Sequence, residues 1–421
     1  MNRPLLESLP SPRARPSGAP LALEGLKVVD FSHFLSGPYC TQILADFGAE
    51  VWKIEKPAGG DDFRSHKPPA LGGESLGYLW TNRNKQGLCI DLYSQAGREL
   101  ALKLIDQADV LVENFSTGVM QRLGLDYDSV SRRNPRLIYC SISAAGREGE
   151  LGQRVGFDPI AQAESGLMAL NGHPDAGPVV VGSPIIDITT GMMAGNAVLA
   201  ALAARARDGQ GQLVEVAMMD QAAQMVGYRP MTYVATGNEP PRVGNSSPVV
   251  VAIGMFATAT GPIYLCCANE RSYQRLMRDV LFRPDLCEGV YADPRTRIAH
   301  RDALRAALLE ELSVRPREEW LPLMSAAGVP AGAARTVAEA MTSEDMRQRG
   351  LLTAIDHPVA GTVPNLAPPY RLSRTPVADP KAAPTLGQHT VSVLRDVLGL
   401  GSEDIQVLVR QGVLGQAEAS P

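Results

Sequence analysis

Apolar positions follow one rhythm over the first half of the chain and another after it. Residues 26–31 (LKVVDF) form a short run with two adjacent valines, followed by Ser36-Gly37-Pro38 and an apolar stretch that stops near Phe47-Gly48. This reads as strand, turn and helix. Residues 50–55, 88–92, 109–113 and 137–143 read as further strands, with helical intervals such as 94–107 between several of them. Strands alternating with helices predict an α/β fold built on a doubly wound parallel sheet.

From Asp187 the spacing turns helical, with Ile188, Met192, Gly195, Leu199 and Leu202 on one face. Gly191 and Gly195 share that face, where missing side chains predict the close approach of another backbone. Arg205, Arg207 and Gly209 supply the basic last turn and glycine stop of a helix end, and residues 212–217 read as a strand. Between residues 237 and 248 the composition shifts to Gly, Asn, Pro and Ser, which predicts a domain boundary. Beyond it, residues 301–312 read as a helix in a smaller mixed part. Residues 357–384 carry seven prolines, which predicts an irregular strap over a surface.

Composition narrows the function classes. A chain of 421 residues that is 45% hydrophobic and 20% charged predicts two domains. Asp and Glu outnumber Lys and Arg by 45 to 40, so the basic excess expected of a nucleic-acid or anionic-membrane partner is missing. No unbroken apolar run reaches the roughly 18 residues of a membrane span; residues 192–204 come nearest and are interrupted by Asn196. Pro4, Pro10, Pro12, Pro16 and Pro20 mark residues 1–20 as a flexible leader without a secretory core. Six cysteines without a C-x-x-C pair predict reduced thiols in a cytoplasmic protein, and six scattered histidines predict no metal site.

Short motifs carry little. Gly73-Glu74-Ser75-Leu76-Gly77 matches the G-x-S-x-G nucleophile elbow, but His66-Lys67-Pro68-Pro69 precedes it where a strand is required, so it reads as a chance match. There is no G-x-G-x-x-G after the first strand and no Walker loop. Asp187 stands at the start of the long helix, where a carboxylate either caps exposed amides or is held ionised by the helix N-terminal field, as a nucleophile needs. Position alone leaves both roles open.

Longer blocks decide more. LEGLKVVDFSHFLSGPYCTQILADFGAEVWKIEKPAGGD, NRNKQGLCIDL, DVLVENFSTGVMQRLGL, GFDPIAQAESGLM, SPIIDITTGMMAG, GQGQLVEVAMMD and PTLGQHTVSVLRDVLGL follow one another across residues 23–400. Together they resemble the class III CoA-transferase family, the CaiB/BaiF superfamily, with spacing similar to formyl-CoA transferase. The resemblance implies an intertwined homodimer whose chains each have a large Rossmann-like domain and a smaller mixed α/β domain. The implied limits are a leader at 1–20, a CoA-binding domain at 21–217, a linker at 218–245, a small domain at 246–340 and a C-terminal segment at 341–421 that returns to the large domain.

The resemblance also implies a reaction with coenzyme A and acyl-CoA as substrates and no permanently bound cofactor. The aspartate aligned with Asp187 attacks an acyl-CoA, succinyl-CoA being one donor, and an aspartyl-CoA thioester passes CoA to another carboxylic acid. Lys56 and Arg122 align with CoA-contact cations. His33, Leu35 and Ser36 align beside the pantetheine and thiol, and Ile90, Asp91, Leu92, Tyr93, Asn114, Phe115 and Ser116 align with adenosine-side contacts. Gly- and Ser-rich turns would supply backbone donors to the oxyanions.

This chain departs from formyl-CoA transferase at Leu35, where a glutamine is lost, which argues against oxalate, and in the region 244–251, where the glycine run is absent. Two alternatives stay beside the transferase. A racemase of the same superfamily places a histidine where this chain has Phe157, which exchanges no proton, and His173 lies in a Gly-His-Pro loop. A noncatalytic CoA-binding subunit of a two-chain transferase is the other.

Overall fold

Six apolar runs pair side by side as parallel strands in the computed structural model, which describes residues 5–415. They are β1 (Lys27–Asp30), β2 (Glu50–Glu55), β3 (Lys85–Cys89), β4 (Val110–Glu113), β5 (Ile138–Ser143) and β6 (Gln212–Ala217). Their order across the sheet is β3-β2-β1-β4-β5-β6, every neighbour parallel. The fold is therefore mixed α/β around a parallel central sheet.

Both faces are buried because successive side chains point to opposite sides. Val29, Trp52, Leu88, Leu111 and Tyr139 face one core, with Leu100, Leu104 and Ile105 of helix α2 (Gln95–Asp106) and Val393 and Leu394 near the C-terminus. Their neighbours Val28, Val51, Val110, Ile138 and Cys140 face the other core. There they meet Cys40, Leu44 and Ala45 of α1 (Ser36–Asp46) and Ala194, Val198 and Ala201 of a long helix at Ile185–Asp208. In β1, β2, β4 and β5 each apolar pair thus feeds two cores, which is why these strands read as continuous apolar runs rather than alternating ones.

The chain divides into two compact units, one of Met1–Leu167, Val181–Gly227 and Asp345–Pro421, the other of Met168–Val180 and Tyr228–Glu344. The residues expected as a linker carry two helices, Met218–Met225 and Arg229–Thr236, with the division falling between them. The last segment belongs to the unit of the parallel sheet. His389 N–H donates to Gly87 O at 2.9 Å, Cys89 N–H to Thr390 Oγ1 at 3.0 Å, and Asp91 N–H to Val413 O at 2.8 Å. The other unit has a three-stranded antiparallel sheet of Ile253–Phe256, Ile263–Cys266 and Ala331–Ala333. Leu304, Leu308 and Leu312 of helix Arg301–Ser313 fill its core with Trp320 and Met324.

Several expectations need revision. The third strand begins at Lys85, not 88, because Lys85 pairs with Val51 and its ammonium is buried against Asp30; Ile90 leaves the sheet and bridges Leu414. The start of the proline-rich segment is a strand, Gly361–Leu366, which forms an antiparallel hairpin with Leu352–His357 just before it. Pro364 sits on a strand with only one partner, where a missing N–H is tolerated. Residues 5–20, expected as a leader, are tied down where Ala354 N–H donates to Pro10 O at 3.0 Å and Arg15 N–H to Asp379 at 2.7 Å. Residues 1–4 of that leader lie outside the described residues. The helix Ile185–Asp208 is, as a whole, long and apolar enough to cross a membrane by length and composition. It packs on α1 and the sheet, as a core helix does.

Candidate active site

Strand order reverses beside β1, whose neighbours β2 and β4 lead away in opposite directions, and ligands of open α/β sheets bind at the carboxyl ends of strands at such a point. The turn after β1 is held there by three fastenings. Asn114, just past β4, accepts the His33 N–H at 2.8 Å and donates to His33 O at 2.9 Å. Asp61, from the loop after β2, accepts the N–H groups of Phe34 at 3.1 Å and Phe63 at 2.9 Å. Lys53 Nζ donates to Ser32 O at 2.8 Å and pairs with Asp61 at 2.9 Å. Phe34 itself has φ +59°, a left-handed conformation that bulky residues rarely adopt, maintained by these bonds.

Beneath the turn lies a neutral set of buried charges. Asp30 accepts from Ser32 N–H at 2.9 Å, Thr41 Oγ1 at 2.6 Å and Lys85 Nζ at 3.0 Å. Burial opposes its charge, but Lys85 and Lys53 prevail and hold the carboxyl down to about 2. Burial pushes Lys85 down to about 8 despite Asp30, while Lys53, buried between Asp61 and Asp30, is raised. His33 is lowered mainly by burial, so its imidazole is neutral at pH 7, with Asp61 opposing the shift. The sequence signal for this network was a charged residue inside an apolar strand, as Lys53 stands between Trp52 and Ile54.

The helices bring Asp187 to the same place. Gly37 opens α1 where a Cβ would collide with Ser32 Cβ at 2.2 Å, and Pro38 follows in the first turn, where its missing N–H costs nothing. At Gly191 an added Cβ would lie 2.5 Å from Ser36 O, so the long helix, here α4, crosses α1 in backbone contact. Asp187 lies one turn earlier on α4, where Ser36 favours its ionised form.

Neither capping nor helix-field ionisation describes Asp187. Helix α3 (Asp158–Glu164) presents the buried Asp158, which accepts the N–H groups of Ile186 at 2.6 Å and Asp187 at 3.1 Å, and Gln162 Nε2 at 2.5 Å. Asp158 therefore consumes the amides that would have stabilised an anion at Asp187, and its own negative charge opposes a second one. Burial first, then Asp158, raise Asp187 to about 7, with Ser36 pulling the other way. The aspartate sits near half ionisation at neutral pH, poorly hydrated, with its side chain free of the helix. Asp158 was not among the residues expected at the site; the Asp-Pro opening of a helix was its only sequence signal.

The expected CoA-contact residues are distributed unevenly. His33, Ser36, Asn114 and Phe115 gather around the turn, with the His33 and Phe115 rings edge to face at 4.8 Å. Leu35 is buried at the head of α1. Ile90 and Leu92 are core residues, while Asp91 accepts the Tyr93 N–H at 3.0 Å and Tyr93 is 78% exposed. Ser116 is exposed. Lys56 is exposed and pairs with Asp62 at 2.5 Å; Arg122 is exposed and makes no ion pair among the described residues. Ser75 of the G-x-S-x-G match donates to His66 O at 3.2 Å and caps the short helix Leu76–Thr81, so its hydroxyl is structural.

The whole chain has known relatives. The family model of CoA-transferase family III matches residues 23–390. The chain belongs to CoA-transferase family III. An acetyl-CoA:oxalate CoA-transferase of Acetobacter aceti is 38% identical over 80% of this chain and 86% of its own. The human succinyl-CoA:glutarate CoA-transferase is 31% identical over 94% of this chain and 90% of its own. The crystal structure of a CAIB/BAIF family protein from Brucella suis superposes with a TM-score of 0.81 at 33% identity, covering 90% of this chain and all of that one. The protein is thus a class III CoA-transferase, and CoA thioesters are its substrates.

Proposed function

We propose that this transferase moves CoA between two carboxylic acids with Asp187 as the covalent relay. The observation carrying this reading is the buried Asp187 carboxyl at the start of α4, which crosses α1 in backbone contact at Ser36, with the amides that it would have capped taken by Asp158. Its carboxylate attacks the thioester carbonyl of an acyl-CoA such as succinyl-CoA; the C–S bond breaks and leaves CoA thiolate and a mixed anhydride. The thiolate then attacks the aspartyl carbonyl, releasing the first acid and leaving an aspartyl-CoA thioester. A second carboxylate attacks that thioester, and the displaced thiolate takes the new acyl group and restores Asp187. No proton is consumed and no resident cofactor is required.

The CoA chain would run from His33, Leu35 and Ser36 past Asn114, Phe115 and Ser116 and residues 90–93. Lys56 and Arg122 would meet its phosphates, since exposed cations suit a solvated anion. We assign the parallel-sheet unit, residues 21–217 with the C-terminal segment from 341, as a Rossmann-like CoA-binding domain, and residues 246–340 as the core of the small domain. Met192 and Met193 on α4 are 44% and 45% exposed, and Leu151 and Val155 are 53% and 76% exposed. Apolar surface of this extent supports an intertwined homodimer, and six free cysteines suit the cytoplasm.

The test is direct. Protein incubated with acyl-CoA, treated with borohydride and digested should carry the modification on the peptide containing Asp187 only after acyl-CoA treatment. In deuterated water, a chiral 2-methylacyl-CoA should exchange CoA with acids without gaining α-deuterium. An unmodified Asp187 alongside full transfer activity overturns the covalent role, and rapid α-deuteration without transfer replaces it with racemisation.

A further inference from the structure

Asp158 can hold the start of α4 only if its carboxylate is aimed there, and one neighbour on α3 aims it. Gln162 stands four residues further along that helix, on the same face, and is fully buried. Its Nε2 donates to Asp158 Oδ1 at 2.5 Å, while Asp158 Oδ2 takes the N–H groups of Ile186 and Asp187. The two oxygens are thus divided between two helices, one held on α3 and the other turned to α4.

The orientation of the Gln162 amide is itself fixed. Val181 N–H donates to Gln162 Oε1 at 2.9 Å, and a carboxamide has one accepting end and one donating end. With the oxygen committed to Val181, the amide nitrogen faces Asp158, whose carboxylate only accepts. Residues 181–184 run directly into α4 at Ile185, so the same side chain ties α3 to the approach of the helix that carries Asp187. Removing it leaves the buried Asp158 Oδ1 without a donor and Val181 N–H without an acceptor among the described residues, and buried polar atoms left in that state are costly. Other charges on the elements packed against α4 are occupied or exposed. Glu164 is held by Arg154 and Asp46 by Arg83, and Asp220 and Glu215 face solvent.

We infer that Gln162 is a positioning residue of the transferase, whose side-chain amide orients Asp158 so that Asp158 holds the start of α4 and the Asp187 carboxyl is left to react. The inference rests on the Asp187 relay proposed above and acts through Asp158, with no contact between Gln162 and substrate.

The experiment uses the full-length protein as wild type, Gln162→Met and Gln162→Glu. Methionine keeps the length of the side chain and loses both bonds. Glutamate keeps an oxygen for Val181 N–H but can donate to Asp158 only while it carries a proton, and two carboxyls this close share one proton near neutral pH and lose it at higher pH. Amide hydrogen exchange needs no substrate. In Gln162→Met the amides of Ile186 and Asp187 should exchange about tenfold faster than in the wild type, with the rest of α4 unchanged. Turnover is read as CoA exchange from acetyl-CoA into labelled acetate and from succinyl-CoA into labelled succinate, between pH 6 and 9. In Gln162→Met kcat should fall about tenfold or more while KM for the acyl-CoA stays within about twofold. Gln162→Glu should keep kcat within about threefold of the wild type at pH 7 and lose about tenfold by pH 9, an alkaline limb absent from the wild type that a merely structural role would not create.

Unchanged exchange at Ile186 and Asp187 in Gln162→Met overturns the inference, as does a Gln162→Glu profile parallel to that of the wild type. Should Gln162→Met fail to fold, Gln162→Glu compared with itself across pH still decides. Borohydride labelling of wild-type Asp187 with the two acyl-CoAs keeps the two readings apart. Labelling together with either overturning result rejects the positioning role alone, whereas no labelling from either acyl-CoA rejects the relay.

Discussion

The carboxylate of Asp158 accepts the backbone N–H of Asp187 at 3.1 Å while its charge raises the pKa of the Asp187 side chain. One residue thus does two opposite things to its neighbour, anchoring the backbone and disfavouring the anion. The cap draws on the helix field, and what remains for Asp187 is burial and a like charge.

Replacing Asp158 with Asn keeps an oxygen that can accept the two amides but removes the charge. The acid limb of kcat/KM should then move to lower pH, by about one pH unit. Asp158→Ala should instead lose the cap and destabilise the fold by about 1 kcal/mol, read from chemical denaturation. An unchanged limb in Asp158→Asn would mean that burial alone sets the Asp187 pKa.

In the proposed relay, attack requires the Asp187 carboxylate, so kcat/KM of the wild type should fall as pH drops through about 7. The linkage to stability has the opposite sign from that of a salt-bridged acid. With its folded pKa raised, Asp187 binds more protons in the native than in the unfolded state between pH 3.8 and about 7. Its contribution to stability therefore declines as pH rises through that window. Asp187→Asn should abolish transfer, by at least about a thousandfold, and flatten this decline in a melting-temperature series from pH 5 to 8.

Lys85 is buried with Asp30, Pro38 O and Asn82 as partners. Lys85→Met leaves Asp30 with a weakened set of donors and should cost about 3–5 kcal/mol in urea unfolding, as breaking a buried pair does. Adding Asp30→Asn should recover part of that loss. Losses that add, with Asp30→Asn costing as much beside Lys85→Met as it does alone, would show that the pair is not coupled.

Lys56→Ala and Arg122→Ala should both weaken CoA binding, measured by titration calorimetry, with losses that shrink as salt is raised. Arg122 should matter more, by about tenfold, because Lys56 already has Asp62 as a partner and gives it up to meet a phosphate. Unchanged affinity in both variants would return these cations to the ordinary solvated surface.

The strand count and the alternation with helices were legible because the four central strands carry adjacent apolar residues, such as Val28-Val29 and Val51-Trp52, that serve two cores. Lys85 at the start of β3 was not legible, since a lysine reads as solvent-facing until its carboxylate partner is seen fifty-five residues away in sequence. Asp187 could be singled out from its place at a helix start and from the resemblance, but its electrostatics were read with the wrong sign. The missing information was Asp158, twenty-nine positions earlier, which occupies the amides.

The sequence by itself determined the periodicities, the parallel α/β class and the family, and it singled out Asp187 as the candidate carboxylate, because these depend on local spacing and on ordered blocks of residues. Tertiary structure decided which charges are buried together, that Asp158 rather than Asp187 caps α4, and that two phenylalanines 123 positions apart (157 − 34) meet edge to face. Those outcomes depend on distances between segments remote along the chain. Coulomb energy and hydrogen bonding act through space over a few ångströms, and no local pattern of residues encodes them.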